Sequence, residues 1–280
     1  METETSRTIE QAVSGDQVLA AESLTTAVDE ALSNLKTRYR IGDSRPVPIE
    51  DVVKSEGGRV VRRLMTIDAS LSYLQRGKRF LISVNSAHSS ERQRFSIGHE
   101  LGHVILERVL IELRDLSVQR NCEVLPSATP KDVERSCNKF SARVLIPDEV
   151  VTWLADWGTL SLEGLRDAAN AWAVSFQALA WHVLEVAPGD GGVITLRRSR
   201  TAGDRGSPTL KVDWVMFPKG PRLALEPGSP IVATHLLEEM LSSNDERIYR
   251  DVDVPLPGFG SKRNLHALRT GGVLRLLVCP

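Results

Sequence analysis

The amino-acid sequence predicts an α+β protein, in which a mainly helical part is followed by a mainly β part. Long stretches with apolar residues at helical spacing fill most of the first two thirds. Short apolar runs rich in β-branched residues are typical of strands, and they dominate after Gly192. The helical patterns lie at residues 17–39, 90–116, 129–145, 148–187 and 231–243, and the strand patterns at 59–65, 79–85, 193–198, 209–217, 247–254 and 273–279.

The composition is that of an ordinary soluble globular protein. The chain has 280 residues and a net charge of −1, so no overall field favours nucleic acid or a membrane surface. No apolar run approaches the roughly 20 residues that a membrane-spanning helix needs. The polar, acidic N-terminus does not resemble a signal peptide. The three cysteines, Cys122, Cys137 and Cys279, are odd in number and unpatterned, which predicts a reducing, cytoplasmic environment.

Changes in composition predict four segments. Residues 1–16 are polar and predict a flexible tail. Residues 17–148 form the first predicted domain, and residues 149–187 form a helical extension. The stretch Pro188–Gly192 is the clearest predicted boundary, and residues 192–280 form a small C-terminal domain.

Two of the predicted helices have clear start signals. Ser90, followed three residues later by Gln93, fits a capping box. Thr129 followed by Pro130 places a capping residue before a proline at the first helical position. Pro147 is expected to end this second helix.

The helical extension contains four of the five tryptophans and predicts two helices around a turn near 173–175, as in a helix-turn-helix. Its only lysine or arginine after residue 149 is Arg166. Helices that bind DNA neutralise phosphates with several basic side chains. We therefore interpret this segment as a packing and substrate-docking element.

The sequence HELGH at residues 99–103 predicts part of a zinc site. Side chains four residues apart lie on one face of a helix, about 6 Å apart, so His99 and His103 can reach one ion. Glu100 is rotated about 100° away, as expected for a general base beside the metal. Gly98 and Gly102, also four apart, would allow another helix to approach closely. A catalytic zinc site needs a third protein ligand.

That third ligand is not expected on the same helix. Metalloproteases with an extended motif have a histidine six residues after the second one, but Val109 stands there. Glu107 continues the stripe of His99 and His103, yet it lies about 12 Å from His99 along a straight helix. We interpret Glu107 as a solvated or capping charge.

The next predicted helix offers two carboxylates, Asp132 and Glu134. Asn138 follows one turn after Glu134 on the same face, which suits a hydrogen bond to a metal ligand. Position and spacing alone do not decide which of these two carboxylates is the third metal ligand.

The two motifs together resemble those of the ImmA/IrrE metallopeptidases. ERQRFSIGHELGH at 91–103 is followed by ERSCNKFSARVLIP at 134–147, which is similar to the family pattern E-x-x-A-N-x-F-A-x-x-L-L-x-P. Cys137 replaces the alanine, and Ser141 and Ala142 occupy the positions of the small pair. The resemblance covers roughly residues 25–187. It implies a zincin-like domain over 17–148.

The resemblance also implies roles for individual residues. It makes Glu134 the third Zn²⁺ ligand beside His99 and His103, and Glu100 the base of a gluzincin-like site. Some family members carry a sensor domain resembling a GAF fold, which implies a small α/β GAF-like domain over 192–280. Family members cleave helix-turn-helix repressors and so switch on stress, DNA-damage or anti-phage defence genes. The alternatives are a non-catalytic zinc-containing regulator and a metallopeptidase partner in a toxin–antitoxin or phage immunity system.

Two residues of the first domain carry additional hypotheses. Cys122 lies between the two helices with metal ligands, and its thiolate is a possible inhibitory fourth zinc ligand; the alternative is an ordinary loop thiol. Tyr73 precedes the 79–85 strand and is a candidate for stabilising a transition-state oxyanion; the alternative is a surface or core tyrosine.

Three arginines of the C-terminal domain suggest a ligand-sensing surface. Arg197, Arg198 and Arg200 are clustered, and single-stranded DNA or another anionic ligand would suit them; the alternative is a solvated strand end. The aromatic residues expected to stack on such a ligand are Trp214, Phe217 and Phe259.

Overall fold

The computed structural model describes most of the chain. By their contacts, the described residues form two compact units: residues up to Pro147 together with Trp172–Val174, and Asp148–Ala171 together with residues from Ser175 onward. The predicted tail at 1–16 lies outside the described residues. These are 26, 28–41, 46–74, 79–119, 129–199, 209–219, 225–232, 234–254, 256 and 262–280, without the side chains of 112–119, 199 and 209.

In its described residues, the first unit combines a small sheet with four helices. Strand β3 lies in the centre of the sheet, parallel to β1 and antiparallel to β2. Helix α3 contains the HELGH motif and follows β3 directly. The elements are α1 (28–39), α2 (Ile49–Ser55), β1 (Gly58–Arg63), β2 (Ala69–Leu74), β3 (Arg79–Asn85), α3 (Ser90–Gln119) and α4 (Pro130–Leu145).

Strand β2 is not among the strands that the sequence predicts. Within the described residues it pairs with β3, and this pairing places Tyr73 opposite Phe80 and Leu71 opposite Ile82. Its six residues are all exposed or half-buried. Because an edge strand with no buried face does not alternate strongly between apolar and polar residues, the sequence ASLSYL lacks a clear strand pattern.

The start of α3 differs by one residue from the prediction. Ser90 is the first helical residue, and it is the Ser89 hydroxyl that accepts a hydrogen bond from the backbone N–H of Arg92, at 3.4 Å. The side chain of Gln93 donates to the carbonyl of His88, at 2.8 Å. The predicted capping by Ser90 is therefore wrong, because the capping residue must precede the first helical one. The predicted start of α4 is confirmed, with Thr129 capping the helix.

Helices α3 and α4 pack closely through small residues. A Cβ on Gly98 would lie 2.6 Å from Ser141 Oγ, and a Cβ on Gly102 would lie 3.2 Å from Cys137 Cα. The Ser141 hydroxyl also donates to the carbonyl of Phe95, at 2.7 Å. The two glycines thus allow the close helix approach that the sequence predicts, and this approach sets the position of α4 relative to the motif.

Among the described residues, the second unit combines four helices with an antiparallel six-stranded sheet in the order β6-β5-β4-β9-β8-β7. One face of the sheet packs in a core with α8, through residues such as Leu196, Leu237 and Leu276. The elements are α5 (Asp148–Leu154), α6 (Leu162–Trp172, its last residue in the first unit), α7 (Phe176–Val186), β4 (Gly192–Ser199), β5 (Thr209–Met216), β6 (Pro230–Ile231), α8 (His235–Met240), β7 (Arg247–Asp253), β8 (Lys262–Thr270) and β9 (Val273–Val278).

The other face of the sheet is in contact with the helical segment. The ring of Phe176, at the start of α7, lies 6.3 Å from that of Trp214 on β5, and the guanidinium of Arg275 on β9 stacks on Phe176 at 4.6 Å. Glu246, just before β7, accepts hydrogen bonds from the first backbone amides of α6. The helices and the sheet therefore form one packed body.

The glycine-rich stretch at 188–192 belongs to this packing. The indole N–H of Trp157 donates to the carbonyl of Pro188. A Cβ on Gly191 would overlap the Trp157 ring, and one on Gly192 would overlap the carbonyl of Met216. These glycines allow close approach, whereas their composition predicts a domain boundary. The turn predicted near Ala173 is present, and Ala173 has a φ of 49°.

None of the described helices has the length and apolar character needed to span a lipid bilayer.

Candidate metal centre

Three side chains from two helices converge in the first unit. His99 and His103 come from α3, and Glu134 comes from the first turns of α4. The two Nε2 atoms are 3.1 Å apart. The carboxylate oxygens of Glu134 lie 3.2 Å from His99 Nε2 and 3.4 Å from His103 Nε2.

These distances fit a single tetrahedral ion. Ligand atoms at about 2.0–2.1 Å from a tetrahedral zinc are separated from one another by about 3.3 Å. The three separations of 3.1, 3.2 and 3.4 Å match that spacing. Two imidazole nitrogens and one carboxylate also form the donor set of catalytic zinc sites that keep a fourth position open. The residues present therefore fit Zn²⁺.

The structure decides between the two carboxylates that the sequence left open. Asp132 accepts hydrogen bonds from the backbone N–H of Thr129, at 3.2 Å, and from its hydroxyl, at 2.6 Å. Its carboxylate completes the capping box of α4. Glu134, more than half exposed, is the carboxylate that lies beside the histidines.

Asn138 fixes the orientation of His99. Its side-chain oxygen lies 2.9 Å from His99 Nδ1. Because an amide oxygen only accepts, His99 must carry its proton on Nδ1, which leaves the lone pair of Nε2 directed to the other two ligands. Asn138 stands one turn after Glu134, so α4 contributes both a ligand and the group that orients another ligand.

The surroundings favour a neutral His103 and a general base at Glu100. Burial lowers the pKa of His103, with a further contribution from His99, and neutral imidazole is the form that binds metals. Glu100 is half-buried, and this burial raises its pKa, opposed by His99 and reinforced by the charge of Glu134. A carboxylate with a raised pKa accepts and releases a proton more readily near neutral pH.

Tyr73 and Glu107 form a pair beside the site. The hydroxyl of Tyr73, on the edge strand β2, donates to the carboxylate of Glu107, one turn after His103. Burial, followed by this hydrogen bond, raises the pKa of Tyr73. Among the described residues, Glu107 is not part of the group whose ligand atoms converge, as the sequence predicts.

Arg94 anchors the start of α3 and was not among the site residues predicted from the sequence. Its guanidinium donates to the carbonyl of Val47, at 2.8 Å, and to that of Ala173, at 3.2 Å. Burial lowers its pKa. The position of an arginine directly before the apolar stripe that begins at Phe95 could have drawn attention to it. Its carbonyl partners could not have been predicted, because they are distant in sequence.

The remaining predicted site residues lie elsewhere or outside the described part. Cys122 and Arg200 are outside the described residues, so the hypotheses about them stay predictions. Cys137 is fully buried under Gly102, as expected for a packing residue. Arg197 is exposed and pairs with Asp213 at 3.0 Å, and Arg198 is exposed on the same strand. Trp214 packs on Phe176.

Comparison with known proteins finds a related peptidase domain. Residues 54–182 match the model of peptidase family M78, described as the IrrE N-terminal-like domain. The chain is 26% identical over 168 residues to the radiation response metalloprotease IrrE of Deinococcus radiodurans, an alignment covering 55% of this chain and 49% of that protein. The chain thus spans about half the length of this relative.

A solved structure described as a Mycobacterium tuberculosis transcriptional regulator aligns over 93% of this chain and 81% of its own, with a TM-score of 0.49 and 12% identity. The family match covers α3, α4 and all three converging ligands. Residues 54–182 thus match the IrrE N-terminal-like peptidase domain, and this match supports assignment to the ImmA/IrrE metallopeptidases.

Proposed function

We propose that this protein is a zinc-dependent endopeptidase with a gluzincin-like site, in which His99, His103 and Glu134 bind the metal. The observation that carries the proposal is the half-buried Glu100, directly after a ligand and with a pKa raised by burial. A purely structural zinc site has no use for a base at this position. Zinc, when bound, supplies a Lewis acid that makes water nucleophilic near neutral pH.

The chain's own residues supply proton transfer and orientation. Glu100 takes a proton from the attacking water and then delivers it to the leaving amine of the cleaved peptide. Asn138 keeps His99 in the tautomer that offers Nε2. Tyr73, whose hydroxyl donates to Glu107 one turn after His103, is our candidate for stabilising the oxyanion of the transition state.

Strand β2 supports a peptide as the substrate. In the described part of the first sheet, β2 is an edge strand, so one side of its backbone has no strand partner. An extended peptide can add to such an edge through main-chain hydrogen bonds. Leu74 and Tyr73, 46% and 43% exposed, offer apolar contacts along it. The strand lies against the motif helix, as the contact of Tyr73 with Glu107 indicates.

We propose a helix-turn-helix repressor as the substrate and the derepression of stress, DNA-damage or anti-phage defence genes as the result. The match to the IrrE N-terminal-like domain supports this proposal, and the words "radiation response" in the relative's name point to damage-related genes. In the second unit, Trp153 and Trp181 are 70% and 49% exposed, which supports a docking role for the helical segment.

The direct test is cleavage of a repressor encoded beside this gene. The full chain with zinc is expected to produce one cut, which a chelator abolishes. Glu100→Gln should retain zinc and lose at least about 100-fold of the cleavage rate, because general-base catalysis contributes that much or more. Metal content and product formation are measured together.

Glu91→Gln, the same change nine residues earlier on α3, serves as the matched control and should cleave like the wild type. If Glu100→Gln still derepresses the target genes in cells, the protein acts by binding, as a non-catalytic regulator.

We further propose that the second unit is a GAF-like sensor domain that recognises an anionic ligand such as single-stranded DNA. Support comes from the exposed Arg197 and Arg198 at the end of β4, next to Arg200 in sequence. Because Arg197 pairs with Asp213, a phosphate would have to replace that carboxylate. Replacing all three arginines by alanine should weaken binding of single-stranded DNA at least tenfold in a fluorescence titration. Arg247→Ala, on strand β7 at the far edge of the sheet, serves as the control. A wild-type protein that does not bind the DNA would refute this part.

A further inference from the structure

A polar cluster lies on the helix-facing side of the sheet in the second unit, apart from the metal centre. Thr195 on β4 stands directly opposite Trp214 on β5 and directly opposite Arg275 on β9. Side chains that face each other across neighbouring strands have Cβ atoms about 5 Å apart. Thr195 therefore lies between an indole and a guanidinium, on one face of the sheet.

The ring of Phe176, the first residue of α7, covers this cluster. Its centre lies 4.6 Å from Cζ of Arg275 and 6.3 Å from the centre of the Trp214 ring. Trp214 and Arg275 are two strands apart, a separation of about 10 Å. A single ring close to both must stand above the strand between them, at Thr195. The three larger side chains thus surround the Thr195 hydroxyl.

Two polar atoms of this cluster have no hydrogen-bond partner among the residues that the structure describes. One is the hydroxyl of Thr195, a residue that is only 1% exposed, and the other is the buried Nε–H of Arg275. Leaving a buried donor without a partner destabilises a protein, and native structures satisfy nearly all such groups with protein, water or an ion. Two such donors side by side point to a group that the protein binds between them.

The charges around the cluster favour an anion. Arg197, two residues after Thr195, has its own carboxylate partner in Asp213, at 3.0 Å. Arg166 pairs with acidic residues of its own helix, α6. Burial lowers the pKa of Arg275, with Asp213 opposing this effect and Arg166 adding to it. A guanidinium nevertheless stays charged at neutral pH. Among the described residues, Arg275 forms no direct ion pair that would neutralise this charge.

The start of α7 adds to the positive potential. Phe176 begins a helix of 11 residues, which Ser175 caps by accepting from the backbone N–H of Ala178, at 3.1 Å. The first amides of a helix, together with the helix dipole, favour negative charge nearby. Because the Phe176 ring stacks on the guanidinium, this helix end and Arg275 act on the same region.

We propose that Thr195 and Arg275 form a binding site for a small oxyanion, the carboxylate or phosphate group of a small molecule, between the sheet and the start of α7. The Nε–H and a terminal N–H of a guanidinium can donate side by side to two oxygens of such a group. The Thr195 hydroxyl donates to one of these oxygens. The half-buried ring of Phe176 moves aside as the anion enters.

This site does not depend on the proposed peptidase function. It also differs from the proposed DNA surface, because Arg197 and Arg198 are exposed, whereas Thr195 is buried.

Titration of the full chain with sodium phosphate, sodium acetate and sodium chloride, at equal ionic strength, tests the proposal. Calorimetry is expected to show saturable binding of phosphate, acetate or both, tighter than that of chloride. The oxyanion that binds more tightly shows whether the site prefers a phosphate or a carboxylate.

Three variants locate the site. Thr195→Val keeps the shape of the side chain without the hydroxyl and should bind the oxyanion at least about fivefold more weakly. Arg275→Met keeps an unbranched side chain against Phe176 and should bind at least about tenfold more weakly, because the charged donors are lost. Arg269→Met makes the same change on the face of the sheet that packs on α8 and should bind like the wild type.

Thermal unfolding provides a second readout. Without added oxyanion, Thr195→Val should unfold at a temperature no lower than the wild type, because it removes a buried hydroxyl that has no partner. The oxyanion should then raise the Tm of the wild type more than that of Thr195→Val, since a ligand stabilises the protein that binds it more tightly.

Three results would overturn the proposal: no saturable binding of phosphate or acetate by the wild type, equal binding by the wild type and Thr195→Val, or a Thr195→Val variant that is less stable than the wild type without oxyanion. The last result would mean that the hydroxyl already has a partner, such as water or Arg275 itself. Binding by the wild type needs no variant, so a variant that fails to fold does not protect the proposal.

Discussion

At the scale of single residues, the candidate metal centre depends on a residue that does not bind the metal. Asn138 accepts from His99 Nδ1 and so selects the tautomer in which Nε2 faces Glu134 and His103. Without this acceptor, His99 is free to rotate and to carry its proton on the other nitrogen. A residue of α4 therefore determines the orientation of a ligand that belongs to α3.

This leads to a prediction for Asn138. Asn138→Ala should lower the affinity for zinc by about 10–100-fold, the usual effect of losing such a partner. Asn138→Asp keeps an acceptor at the same place and should restore most of the affinity. Zinc affinity is measured by competition with a coloured chelator, and circular dichroism verifies the fold. An alanine variant with wild-type affinity would show that His99 needs no partner.

Individual residues were predictable from the sequence to different degrees. The spacing of His99 and His103 places them on one helix face. Glu100 is rotated about 100° from His99 around the helix, which favours the role of a general base over that of a ligand. Spacing could not separate Asp132 from Glu134, because both lie near the start of α4. The difference is local: the Asp132 carboxylate folds back onto Thr129, as a capping box requires. The Tyr73–Glu107 pair depends on a strand that the sequence did not reveal.

At the scale of elements, the packing of α3 against α4 brings ligands from two helices together. The glycines of α3 face Ser141 and Cys137 of α4, and Glu134 and Asn138 occupy another stripe of the same helix. Periodicity and capping signals made α3 and α4 predictable. Strand β8 was missed because its sequence KRNLHALRT begins with three polar residues, although Leu265, Ala267 and Leu268 are buried in the sheet.

The close helix contact predicts an unusual effect of alanine. In an exposed helix, glycine to alanine stabilises by about 1 kcal/mol. Gly98→Ala should instead destabilise the protein by about 1–3 kcal/mol, because the new methyl group would lie 2.6 Å from Ser141 Oγ. Urea denaturation measures the free energy of unfolding.

The double variant Gly98→Ala with Ser141→Ala tests the cause. It removes the hydroxyl at 2.6 Å and should recover part of the loss relative to the sum of the single changes. Additive effects of the two changes would mean that the contact with Ser141 is not responsible.

At the scale of the whole molecule, the second unit combines two segments that the sequence separated. The glycines at 191 and 192 have the composition of a linker, yet each lies where a side chain would overlap a neighbour. Composition cannot distinguish glycine needed for flexibility from glycine needed for close packing, because only the distant partners, Trp157 and Met216, reveal the difference. The helices α6 and α7 accordingly share contacts with the sheet through Glu246, Trp214 and Arg275.

This packing predicts the behaviour of a truncated chain. A fragment that ends at Gly189, the boundary suggested by composition, loses the sheet and with it the Glu246 cap and the aromatic contacts of Phe176. Buried residues of α7 such as Leu179 and Val183 lose apolar cover as well. Amides in 162–186 should therefore exchange at least tenfold faster in the fragment than in the full chain, whereas those of α3 near His99 serve as the internal reference. If 162–186 stay as protected as in the full chain, the helical extension is an independent module and the contacts with the sheet contribute little to its stability.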